Sequence, residues 1–101
     1  MSAWQPSETE LHLLRHIIKI KGNLHQTAEA MEEYAEAAAA IARYGIGEAP
    51  LIELADELAD TEIMCAQLCE IIPELSERIS KQRAIKLASI AVRFHFPATP
   101  Q

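Results

Sequence analysis

Three breaks divide this chain: Gly22, the pair Gly45 and Gly47 ahead of Pro50, and Pro73. Between them no segment alternates apolar and polar residues as a half-buried strand must, and each repeats its apolar residues at helical spacing. Ser7 to Glu10 reads as a capping box opening a first helix to about Ile20, with Leu11, Leu14, Ile17 and Ile18 on one face. Asn23 or Thr27 starts a second helix running to about Tyr44. Its apolar positions Leu24, Ala28, Met31, Ala35, Ala38, Ile41 and Ala42 keep a helical period. The run Ala37–Ala40 offers little side chain, so close packing against a neighbouring helix or another subunit is expected. Pro50 suits the first turn of a third helix, which reaches about Ile72 and turns Leu51, Leu54, Ala55, Leu58, Cys65, Ala66 and Cys69 inward. Pro73 forces a kink or a new start. A fourth helix from about Glu74 to Phe94 then carries Leu75, Ile79, Leu87, Ile90 and Ala91. The expectation is an all-α, four-helix bundle-like fold in which helices two and three are antiparallel neighbours across a short loop. One domain over residues 1–101 follows, with its core at about residues 7–94 and a frayed tail from Pro97.

Charge is distributed unevenly over these helices. Between Leu24 and Glu77 lie thirteen Asp and Glu residues and one basic residue, Arg43; beyond Glu77 there are five cations and no acid. The net charge of −6 argues against nonspecific binding to DNA, RNA or an anionic membrane. No apolar run approaches the roughly 18 residues needed to span a membrane, and the N-terminus lacks the pattern of a secretory signal. A cytoplasmic location is therefore expected, and Cys65 and Cys69 are expected to be reduced core thiols.

A solvated helix face normally mixes both signs, because Glu and Lys four apart support each other. Here Glu29, Glu32, Glu33 and Glu36 crowd helix two, and Glu53, Asp56, Glu57, Asp60 and Glu62 crowd helix three. Residues three or four apart project from one side of a helix. Glu32, Glu33 and Glu36 therefore point one way and Glu57 and Asp60 another, and an antiparallel hairpin can bring the two sets face to face. Oxygen ligands converging from two rigid helices suit Mg²⁺ or Mn²⁺, which keep several waters and accept phosphate as a shared ligand. Either half of this pattern alone is an ordinary solvated face.

At these residues the chain resembles the MazG-like all-α nucleotide pyrophosphohydrolases, whose pattern is Glu-Glu-x-x-Glu, a spacer, then Glu-x-x-Asp. Here it reads Glu32-Glu33-Tyr34-Ala35-Glu36, twenty residues, then Glu57-Leu58-Ala59-Asp60. The run from Leu54 to Met64, the following Gln67-Leu68 and the basic helix after Pro73 also fit, so the resemblance covers about residues 20–90. It implies that Glu33, Glu36, Glu57 and Asp60 are metal ligands and that Glu32 is an accessory catalytic carboxylate. It also implies a Mg²⁺-dependent reaction, with Mn²⁺ as a substitute, in which water splits a nucleoside triphosphate between its α and β phosphorus atoms. The products are a monophosphate and pyrophosphate, in a nucleotide-housecleaning role. Lys21, Lys81, Arg83 and Lys86 become candidates to hold the triphosphate, and Trp4, Tyr34 and Tyr44 to stack on a base.

Competing chemistries fare worse. His12 and His16 have the spacing of two zinc ligands on a helix, but the catalytic zinc motif needs Glu after the first His and position 13 is Leu. No Glu-x-x-His pair supports a di-iron bundle, and no glycine-rich phosphate loop exists. The rival from another class is a catalytically silent helical module for oligomerisation or regulation. Four short helices enclose little core, so a homodimer or homotetramer is expected.

Overall fold

Helix ends follow from local chemistry. In the computed structural model, which describes residues 4–97, the Glu10 N–H donates to Ser7 Oγ at 3.1 Å and the Ser7 N–H donates to Glu10 Oε1 at 2.7 Å. The capping box opens α1 (Glu8–Lys21) as the spacing predicts. Gly22, at φ +91°, closes α1 and starts α2 (Asn23–Gly45) without a linker, a turn that a side chain would strain. Pro50 precedes α3 (Leu51–Ile71), and Pro73 separates it from α4 (Leu75–Arg93). Every described element is helical. Most of the tail expected to fray, residues 98–101, lies outside the described residues.

Helices α2 and α3 form the structural centre as an antiparallel hairpin. Gln26 Nε2 donates to Gln67 Oε1 at 2.6 Å, Tyr34 Oη donates to the Thr61 carbonyl at 3.4 Å, and Arg43 Nη1 donates to Glu53 Oε1 at 2.7 Å. As one helix ascends in number the other descends. Arg43 also reaches the Glu48 carbonyl at 3.5 Å, which ties the Gly45–Gly47 loop shut. Helix α1 lies against both, anchored by buried Leu14 and by an Arg15–Glu70 ion pair to α3.

The face of α2 turned to α3 carries Gln26, Ala30, Glu33, Ala37 and Ala40, alternately four and three apart, which is the spacing of a coiled-coil seam. On α3 the answering positions are Glu57, Asp60, Met64 and Gln67. This corrects the expected packing. The apolar series Leu24, Ala28, Met31, Ala35, Ala38, Ile41 and Ala42 points to solvent, with Leu24 86% and Met31 71% exposed. Both faces of α2 keep a helical period; the inner one is built from alanines and hydrogen-bonding residues, which a search for apolar side chains passes over. On α3, Leu51, Ala55 and Leu58 are exposed, while Leu54, Cys65, Ala66 and Cys69 are half-buried. Helix α4 makes only a slight contact with α3: Leu75, Ile79 and Ala91 are half-buried, while residues 80–90 are exposed, Leu87 and Ile90 among them. The radius of gyration, 16.6 Å, exceeds the ~13 Å of a compact chain this long.

Candidate metal centre

The seam places carboxylates where a helical hairpin normally places leucines. Glu33 and Glu36 lie one turn apart on α2, and Glu57 and Asp60 one turn apart on α3. Oxygens of Glu33, Glu36 and Glu57 lie within 4.8 Å of one another, and so do oxygens of Asp56, Glu57 and Asp60. The two groups share Glu57, and together they contain all four expected ligands. Alanines at 30, 37 and 40 leave the room that these carboxylates occupy.

Electrostatics make the arrangement costly as it stands. Glu33 Oε2 and Glu57 Oε2 are buried and meet no hydrogen-bond donor, although buried polar atoms are nearly always paired. Partial burial pushes Glu33 up to about 7; the charge of Asp60, that of Glu36, a hydrogen bond with Asp60 and the charge of Glu57 add to the shift in that order. Glu57 is raised as well, by burial first and then by Glu36, Asp60, Asp56 and Glu53. Among the described residues, no Lys or Arg pairs with Glu33, Glu36, Asp56, Glu57 or Asp60: Arg15 pairs with Glu70, Arg43 with Glu53 and Lys81 with Glu77.

A divalent ion suits these residues. Around Mg²⁺, with bonds of 2.0–2.1 Å, octahedral ligand oxygens lie about 3–4 Å apart. Small side-chain movements would gather the oxygens from their present spacing. All the donors are hard oxygens, the set that Mg²⁺ and Mn²⁺ prefer over zinc or copper.

The remaining sequence candidates are placed less centrally. Glu32 is exposed and belongs to neither carboxylate group. Asp56 joins the α3 group instead; as the direct neighbour of Glu57, it starts 100° away around the helix, so sequence spacing assigned it to the periphery. Lys21 is exposed at the end of α1, and Lys81 and Lys86 are exposed on α4. Arg83 lines a cavity of about 450 Å³ between α3, α4 and the N-terminal segment, together with Trp4, Glu62, Cys65, Cys69 and Glu70. Those α3 residues project from the side opposite Glu57 and Asp60, so the cavity is separate from the carboxylates. Tyr34 and Tyr44 are both exposed, and Tyr34 Oη donates to the Thr61 carbonyl across the hairpin. His12 and His16 are exposed on α1, outside both carboxylate groups. Cys65 and Cys69 are free, and burial, then the neighbouring Cys65, pushes the Cys69 thiol up. A thiol so protonated is a poor nucleophile and a poor ligand.

Sequence spacing did not single out the buried Gln26–Gln67 pair either. It sits two helical turns from the carboxylates and fixes the register that aligns Glu33 with Asp60. Comparisons of this chain with protein-family models, with curated proteins and with solved structures find no match.

Proposed function

We propose that this chain is a Mg²⁺-dependent nucleoside triphosphate pyrophosphohydrolase of the MazG-like all-α kind, working as a homodimer or homotetramer. One observation carries the reading: two helices bury carboxylate oxygens of Glu33 and Glu57 against each other with no donor and no cation to meet them. A folded chain that keeps such a cluster is built to receive positive charge. Glu33, Glu36, Glu57 and Asp60 hold the ion, with Asp56 beside them. When bound, Mg²⁺ offsets the charge of the phosphate oxygens and acidifies water. The helices keep the carboxylates pre-positioned, so little reorganisation is needed at the reacting phosphorus. Water's oxygen bonds to the α-phosphorus, and the bond to the bridging oxygen breaks to release pyrophosphate. Glu32, exposed one residue from Glu33, accepts the water proton as a general base. No covalent nucleophile takes part.

The test is pyrophosphate release across a panel of ribo- and deoxynucleoside triphosphates with Mg²⁺. Turnover of at least one nucleotide is expected, lost in Glu57→Gln while the metal-free variant stays as stable as the parent or slightly more so. Undiminished turnover in Glu57→Gln contradicts the site. A silent module is the outcome if no nucleotide is split and the melting temperature ignores Mg²⁺, since an ion that binds only the folded state must raise it.

A further inference from the structure

The molecule exposes far more surface than a chain of its mass should. A folded monomer of 11.2 kDa is expected to expose about 5,700 Å², whereas this one exposes 7993 Å². The excess, roughly 2,300 Å², is comparable with what one partner contributes to a large obligate interface. Two helix faces contribute to it. On α2, Leu24, Ala28, Met31, Ala35, Ala38 and Ala42 are spaced alternately four and three apart and are all exposed, a second seam opposite the one that meets α3. On α4, Ile85, Ala88 and Val92 share one face and are all exposed, with Ile85 at 60% and Val92 at 75%.

Charge decides which face meets which. The α4 face carries Arg78 and Lys81 in the same row, and α4 has no acid after Glu77. Two α4 helices laid together would oppose like charges. The α2 seam is bordered by exposed Glu32, with Glu36 one turn beyond. The α2 seam spans about five turns from Leu24 to Ala42 and the α4 row about four from Arg78 to Val92, so the shorter row fits within the longer. Alanine recurs at every seventh position of the α2 seam, at 28, 35 and 42, which allows another helix to approach closely.

We infer that two copies of this chain associate reciprocally, α4 of each lying across the outer face of α2 in the other. Ile85, Ala88 and Val92 enter the groove formed by Met31 and its alanines, and Arg78 and Lys81 come to the Glu32 side. Such a pairing is isologous, because each copy offers both faces once. It also brings further cations to the acidic helix, whose one Arg or Lys, Arg43, is already paired with Glu53. The inference deepens the oligomeric part of the proposed function, but rests on surface and charge and is independent of whether any nucleotide is split.

Mass measured by light scattering at micromolar concentration tests it, with helical circular dichroism recorded in parallel. The parent is expected to be a dimer, and Met31→Glu and Ile85→Glu are each expected to be monomers. Met31→Gln and Ile85→Gln serve if the charged variants lose helix. An equimolar mixture of the two variants should recover dimers, because one half of the reciprocal interface then contains both substitutions and the other half contains neither. A parent monomer overturns the inference, as does either variant keeping the parental mass. A mixture that stays monomeric also overturns it, since interfaces of α2 on α2 and α4 on α4 could not be rescued in this way. None of these readings uses turnover, so loss of the proposed activity and loss of the interface are told apart.

Discussion

Glu33 carries the clearest consequence at the scale of single residues. Its carboxyl is ordinarily near 4.5 and stands at about 7 in the folded chain. Between those values the folded state holds a proton that the unfolded state has released, so stability falls as pH rises from about 4.5 towards 7. The metal-free protein should therefore melt at a higher temperature at about pH 5 than at about pH 7.5. Saturating Mg²⁺ should narrow that gap, because the ion takes the place of the proton. Glu33→Gln should flatten the dependence in the absence of metal. Equal pH dependence in the parent and in Glu33→Gln, followed by thermal unfolding, contradicts this assignment. The acids between Leu24 and Glu77 thus differ in surroundings: those in the seam respond to protons and metal, while Glu48, Glu74 and Glu77 are surface residues.

At the scale of helices, the carboxylates depend on the register of α2 against α3, and the register depends on Gln26 and Gln67. Both are buried, at 3% and 2% exposure, and they bond each other. Removing one partner strands the other, so Gln26→Ala should cost about 1–3 kcal/mol. Replacing both by leucine should restore much of the loss in denaturant unfolding while weakening metal binding through looser register. A double variant with parental metal affinity would show that the pair is structural only. All four helices and the hairpin were legible in the sequence, because Ser7, Gly22, Gly47, Pro50 and Pro73 act locally on the backbone. Apolar patterning did not show which face of α2 meets α3. The inner seam is alanine, glutamine and glutamate, and its affinity for its partner comes from close approach and cross-helix hydrogen bonds rather than from apolar bulk. The clustering of Glu33, Glu36, Glu57 and Asp60 follows from spacing plus an antiparallel loop. The part taken by Asp56 follows only from side-chain reach.

For the whole molecule, the balance is between a thin core and two unpartnered seams. Among the described residues six apolar ones are buried, four of them alanines, and α4 stands largely free of the rest. Association is the natural completion of such a chain, and metal binding should not require it, since the proposed ligands come from one hairpin. Reciprocal docking would add Arg78 and Lys81 near Glu32, where a polyphosphate needs cations. The proposed function depends on whether the buried carboxylates bind an ion. Mn²⁺ titration followed by electron paramagnetic resonance reads this directly on the parent and on Glu33→Gln. Saturable binding at about one or two ions per chain is predicted, weakened at least ~10-fold, or about 1.4 kcal/mol, by the substitution. Equal Mn²⁺ affinity in the two proteins, or no saturable binding in the parent, would contradict the account.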